Sequence, residues 1–359
     1  MADQQLERAR ERRDLVGERR RGVDAGQGLA HRRAVGEDDG AGLADGVPAA
    51  GLVTDLGDRA DRGVPVAEDL RQRGGEDAGE GGLVGDRDRS GGLEVQRIKV
   101  LGHDYEHGSS VIGVVEQIEI QTPDGTAEAY LARPDSTPKG GVLVYMDAIG
   151  LRPRLAEMIE RVASWGYVVL APHVFYRDGG VAELAPTADL REPAARDAFF
   201  ANGAMARVRG LTVDRLALDI PAYVQTLQTY VTGPLATHGY CMGARIAVRT
   251  AGRFPDEFVA VGGFHGGGLV TADEDSPHTC IAVTQAEYYF GHADHDRSMT
   301  PENVADLGRA LEDAGVAHTN LIYPDAPHGY TMADTSSYQE AGTKRHFTDL
   351  ELLYARTMA

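Results

Sequence analysis

Residues 235–254 read LATHGYCMGARIAVRTAGRF, and this stretch decides the fold. Leu235 to Cys241 has the character of a strand, and a helix is predicted from Ala244 onward. Between them stands Gly239-Tyr240-Cys241-Met242-Gly243, a Gly-x-Cys-x-Gly turn. Strand, turn and helix together form the nucleophile-elbow pattern, with cysteine where serine is commoner. The glycines are needed because a side chain at either flank of so tight a turn would strike neighbouring backbone. A thiol at this point sits at a helix N-terminus, whose dipole favours the thiolate. The N–H of Met242 is then placed to donate to an oxyanion. Read without its neighbours, Cys241 is a buried, inert cysteine of the kind sheets often contain.

Outward from the elbow, the chain alternates strands and helices. Residues 116–122 (EQIEIQT) and 127–134 (AEAYLARP) flank the turn PDGT and predict an antiparallel hairpin. Residues 140–147 (GGVLVYMD) and 167–175 (YVVLAPHVF) are apolar runs suited to buried parallel strands. A helix is predicted between them and closes at Gly166. Residues 176–212 are polar and irregular, a loop-and-helix excursion. The helix over 213–231 contains Pro221, which predicts a kink or two pieces. Strands at 258–266, 286–294 and 319–326 follow, with helices at 302–315 and 345–358. The pattern predicts an α/β fold with a mostly parallel sheet and helices on both faces. Chemistry in such sheets collects at the carboxyl ends of the strands.

Two further strand ends carry candidate groups. AEYYFGHAD closes on Asp294, and His328 lies just beyond TNLIYPDA. Taken singly, His328 reads as a loop residue, and Asp294 and Asp296 as helix caps. The chain order nucleophile, acid, histidine is the one α/β-hydrolases use. In that arrangement histidine takes the thiol proton and the carboxylate fixes its tautomer.

The segments GYCMGA (239–244), YFGHADHDRSMTP (289–301) and YPDAPHGY (323–330) resemble the catalytic blocks of the dienelactone hydrolase family. The resemblance runs from about Glu116 to the C-terminus. It implies an α/β-hydrolase fold and opening of an enol-lactone ring. It also implies Cys241 as nucleophile, Asp294 as acid and His328 as base. The oxyanion hole would be the N–H of Met242 with one at Ala148 or Ile149. The family pattern has a Glu that pairs with the resting thiol, and here Asp147 takes that place. Either it partners Cys241 or it shapes the pocket. An arginine expected four residues after the histidine is replaced by Met332. Arg207 and Arg209 are then the candidates for binding a substrate carboxylate. His265, in GGFHGGG, lines the pocket or serves as a turn residue.

Composition narrows the partners. Asp and Glu outnumber Lys and Arg 55 to 36, giving a formal charge of −19. That field disfavours nucleic acid and anionic lipid. No apolar run approaches a membrane span, and the N-terminus lacks the apolar core of a secretory signal. With two cysteines, Cys241 and Cys280, no disulfide framework is expected, and the setting expected is cytoplasmic. GHADHD has no zinc-site spacing and the glycine cluster no phosphate-loop spacing, so neither metal nor cofactor is expected. The expected partner is a small ester or lactone. Residues 1–110 contain little large apolar material, and their first aromatic residue is Tyr105. They read either as a disordered extension or as translated text outside the natural protein; the hydrolase domain is set at 111–359. Two other functions share the fold: a thiol-based sensor or ligand-binding protein, and a generic esterase or acyltransferase.

Overall fold

The computed structural model describes residues 96–103 and 110–359. Nine strands form one sheet in the order β1-β2-β3-β5-β4-β6-β7-β8-β9. These are β1 (Gln96–His103), β2 (Ser110–Thr122), β3 (Gly125–Ala132), β4 (Gly140–Tyr145), β5 (Tyr167–Pro172), β6 (Leu235–Tyr240), β7 (Phe258–Phe264), β8 (Glu287–His292) and β9 (His318–Ile322). The first three strands pair antiparallel, and β3 meets β5 antiparallel. From β5 through β4 to β9 every pairing is parallel. The hairpin read at 116–134 is thus present. Strand β1, however, lies ahead of the boundary set at 111. The remainder of the N-terminal stretch falls outside the described residues.

Every residue of β4, β5 and β6 is buried, as their uninterrupted apolar text requires. Helix α1 (Pro153–Ser164) places Leu155, Ala156, Met158, Ile159, Val162 and Ala163 in the core, the spacing of one helical face. Residues 176–212 form three short helices, α2 (Val181–Leu184), α3 (Pro193–Phe199) and α4 (Met205–Gly210), with a π-turn at Phe200–Ala204. Helix α5 (Val213–Tyr230) carries Pro221 inside it without being divided into two elements. Its buried Asp219 pairs with Arg177 at 2.6 Å, which fastens the excursion to α5. Helices α6 (Met242–Arg253), α7 (Pro301–Ala314) and α8 (Glu340–Thr357) complete the domain.

The strand order positions the site. After β4 the chain moves to one side to form β5; after β6 it moves to the other to form β7. Adjacent strands whose connections leave in opposite directions open a crevice at their carboxyl ends. Here those ends are Met146 to Gly150 and Cys241.

Candidate active site

Cys241 occupies the peak of the turn between β6 and α6. Its backbone is strained, with φ 53° and ψ −118°, a conformation costing roughly 1–3 kcal/mol outside glycine. The flanking glycines are steric necessities. A Cβ at Gly239 would lie 2.1 Å from the carbonyl of Gly243, and one at Gly243 would lie 2.4 Å from the Tyr145 oxygen. Backbone bonds hold the turn from both sides: Cys241 N–H donates to Phe264 O at 3.1 Å, and Gly267 N–H to Cys241 O at 3.2 Å. Met242 opens α6, so its N–H is one of the first-turn amides that no helical carbonyl accepts.

His328 lies beside the elbow: its Cε1 would be 3.7 Å from a Cβ at Gly267, whose N–H bonds the Cys241 carbonyl, and charge at Cys241 acts on its imidazole. On its far side, Nδ1 meets Oδ2 of Asp296 at 2.6 Å. This is a correction to the sequence reading, which placed Asp294 beside the histidine. Asp294 instead accepts from the backbone N–H of His295 at 2.9 Å and of Asp325 at 3.0 Å. It staples two turns together. The chain runs two residues further, through His295 at φ 52°, before turning back toward His328. Asp296 is nearly buried and its other oxygen is also engaged. Ser298 donates to Oδ1 from its backbone N–H at 2.8 Å and from its hydroxyl at 2.7 Å. The spacing Asp296-x-Ser298 was the available sequence signal, a side-chain turn that fixes one rotamer of the aspartate.

The electrostatics follow from these contacts. Burial opposes a charge on His328, but negative charge at Cys241 and the bond His328 donates to Asp296 outweigh it, and the imidazole pKa is pushed up to about 10. Asp296 is likewise desolvated, yet its bonds from His328 and Ser298 hold it below the usual carboxylate range.

Asp147 does not reach the thiol. Both of its oxygens are taken by the buried Arg152, at 2.7 and 3.0 Å. Oδ1 also accepts the Ile149 N–H at 3.1 Å, so that amide is committed and Ala148 is the remaining candidate. His265 is fully buried and lines no open surface. Its ring centre lies 5.4 Å from that of His328, and its Nε2 pairs with Thr331 Oγ1 at 2.8 Å. Burial and the neighbouring His328 charge hold its pKa well below normal, so a neutral ring packs behind His328. Met332 is buried. Arg209 is exposed, whereas Arg207 turns inward, 5.8 Å from the Phe175 ring and 5.7 Å from Phe199. Its buried Nε and Nη2 have no protein acceptor. Among the described residues no group of three His, Cys, Asp or Glu is placed to hold a metal. No described helix is long and apolar enough to cross a membrane.

The dienelactone hydrolase family model matches residues 127–356. The chain belongs to the dienelactone hydrolase family. Like its relatives in that family, it is a hydrolase. It is 25% identical over 235 residues to carboxymethylenebutenolidase 1 of Cupriavidus pinatubonensis, covering 64% of this chain and 92% of that one. A Yersinia pestis protein provisionally named a carboxymethylenebutenolidase is 26% identical over 218 residues, covering 58% and 76%. Among solved structures, a dienelactone hydrolase provisionally so named from Klebsiella pneumoniae superposes with TM-score 0.55 at 20% identity, over 67% of this chain and 98% of that one. A dienelactone hydrolase-like promiscuous phosphotriesterase from metagenomic libraries gives 0.52 at 19%, over 68% and 98%. These likenesses establish the α/β-hydrolase fold.

Proposed function

We propose that this hydrolase opens a lactone, or cleaves a small activated ester, through Cys241, His328 and Asp296. The observation that carries the reading is one histidine held between the elbow thiol and a buried carboxylate, with Nδ1 and Oδ2 2.6 Å apart. The Cys241 thiol gives its proton to His328 as its sulphur bonds to the substrate carbonyl carbon, and the carbonyl oxygen takes the negative charge. The N–H groups of Met242 and Ala148 receive that charge. As the intermediate collapses, the carbon–oxygen ester bond breaks and His328 gives its proton to the departing oxygen. Water, losing a proton to His328, then releases the acid and restores the thiol. Asp296 keeps the imidazole oriented throughout. Thiolate is itself a good leaving group, which favours strained or activated esters over amides.

Arg207 supplies the feature that selects among esters. Its unpartnered Nε and Nη2 form the edge of a guanidinium that binds a carboxylate with two parallel bonds. A substrate bearing a carboxylate fits this reading, and the name of the Cupriavidus relative describes such a lactone. A cytoplasmic setting fits as well, because a reducing compartment keeps a thiol nucleophile active.

The test is hydrolysis of dienelactone and of p-nitrophenyl acetate, followed by absorbance, with wild type beside Cys241→Ala. Turnover of both that disappears in the variant is the expected result. Cleavage of the acetate alone would keep the mechanism and discard the lactone. A single burst without turnover would point to a thiol sensor, and retained activity in Cys241→Ala would remove Cys241 from the chemistry.

A further inference from the structure

Arg152 is nearly inaccessible, yet it is joined to two separate parts of the site. A guanidinium has five N–H donors, and here each has an acceptor. Nη1 donates to Asp147 Oδ1 at 2.7 Å and to Gly150 O at 3.0 Å. Nη2 donates to Asp147 Oδ2 at 3.0 Å and to Asp334 Oδ1 at 3.3 Å, and Nε to Asp334 Oδ2 at 2.5 Å. Asp147 and Gly150 belong to the loop after β4 that carries Ala148. Asp334 belongs to the run of turns that follows His328. The neighbouring Arg154 grips the same turns, donating to Thr331 O at 2.9 Å.

A loop of this kind has no intrinsic reason to hold one shape. Gly150 sits at φ 107°, a backbone state open to few other residues. The Ile149 amide is drawn onto Asp147, and Asp147 is held in turn by Arg152. Burying Arg152 and Asp147 as an ion pair, with the partly exposed Asp334 beside them, gains little net stability. What the arrangement supplies is a rigid cross-link with planar, two-point geometry at each carboxylate. His328 has its own anchors in Asp296 and Ser298 and does not depend on Asp334.

We infer that Arg152 is a positioning residue for the oxyanion loop: braced on Asp334, it fixes Asp147 and Gly150 so that the Ala148 amide faces the carbonyl attacked by Cys241. The inference rests on the hydrolase reading proposed above. It assigns Asp147 a role through Arg152 and none at the thiol.

The experiment compares wild type, Arg152→Lys and Asp334→Ala with p-nitrophenyl acetate. Active sites are counted by alkylation of Cys241 with iodoacetamide, a reaction that needs the thiolate and no oxyanion hole. Lysine keeps the charge but cannot span both carboxylates. Asp334 is partly exposed, its side chain 35% accessible, so its removal spares the core should Arg152→Lys fail to fold. The expected result is kcat per alkylatable site about thirty-fold lower in both variants, with KM within about two-fold of wild type and the alkylation rate unchanged. Turnover per site equal to wild type in either folded variant would overturn the inference. So would alkylation that slows in step with kcat, since the cluster would then act on the thiol and His328. Absence of Cys241-dependent turnover in wild type itself would instead overturn the hydrolase reading beneath it.

Discussion

Two turns at the carboxyl edge of the sheet, one at Gly239–Gly243 and one at Asp294–Ser298, each follow a buried parallel strand and each present a group to His328. They are built differently. The first is made of backbone. Its glycines admit a close approach that no other residue allows, with Gly243 packed under the Tyr145 and Met146 carbonyls. The second is made of side chains. Two aspartates stand two residues apart, and partners from elsewhere decide their fates: the amide of Asp325 takes Asp294, and His328 with Ser298 takes Asp296. A backbone turn announces itself in local text. A side-chain turn is assigned by whatever packs against it.

That contrast is breakable at its strongest point. Asp296→Asn removes the carboxylate behind His328 and is expected to lower kcat/KM for p-nitrophenyl acetate about a thousand-fold or more. Asp294→Asn, which disturbs only the staple between turns, stays within a few-fold. Steady-state kinetics on the two variants decide the matter, and a larger loss in Asp294→Asn would restore the assignment read from sequence. The backbone half is tested by Gly243→Ala. With an added Cβ 2.4 Å from the Tyr145 oxygen, overpacking is expected to cost about 3 kcal/mol of stability in urea unfolding. An unchanged unfolding midpoint would mean that this turn yields more readily than its contacts imply.

The smallest effect concerns pH. Because His328 gains its partners on folding and its pKa rises from 6.5 to about 10, its stabilising contribution is complete below the unfolded value. It fades as pH climbs through about 10. Asp296, held low, contributes above the unfolded carboxylate range, and its share is lost as acid protonates it. The difference in thermal midpoint between wild type and His328→Gln should therefore be widest near pH 6 and narrow toward pH 10. A difference that grows with pH would contradict the paired geometry.

Much of the fold was legible because its signals are short in range. The hairpin ending at Ala132, the buried strands β4 and β5 and the helix between them follow from alternation, continuous apolar runs and a closing glycine. Pro221 was read as a kink or a division into two pieces, and α5 encloses it undivided, with Leu216, Ile220, Tyr223, Val224 and Leu227 buried along its face. Packing of that face outweighs one lost helical bond. Of the candidate site, Cys241 and His328 lie on neighbouring turns at the same edge of the sheet, and the Met242 amide opens its helix after Cys241. Asp147 was read as a partner of the thiol or a group shaping the pocket, and His265 as a pocket or turn residue. Arg152 and Thr331, distant in chain or pointing unseen, engage them instead. Arg207 and Arg209 stand two residues apart and only their surroundings separate them: one packs against aromatic rings, the other meets solvent.

The sequence by itself determined the buried strands alternating with helices, the strand-turn-helix that lifts Cys241, and the family to which the chain belongs. Periodicity and glycine sterics act over a few residues and leave their mark in the text. Only the tertiary structure decided that Asp296 rather than Asp294 faces His328, and that Asp147 belongs to Arg152. Which carboxylate meets which cation depends on groups brought together across the fold, Asp334 and Arg152 being 182 positions apart. Such pairings follow from distance and desolvation in three dimensions, and no local pattern encodes them.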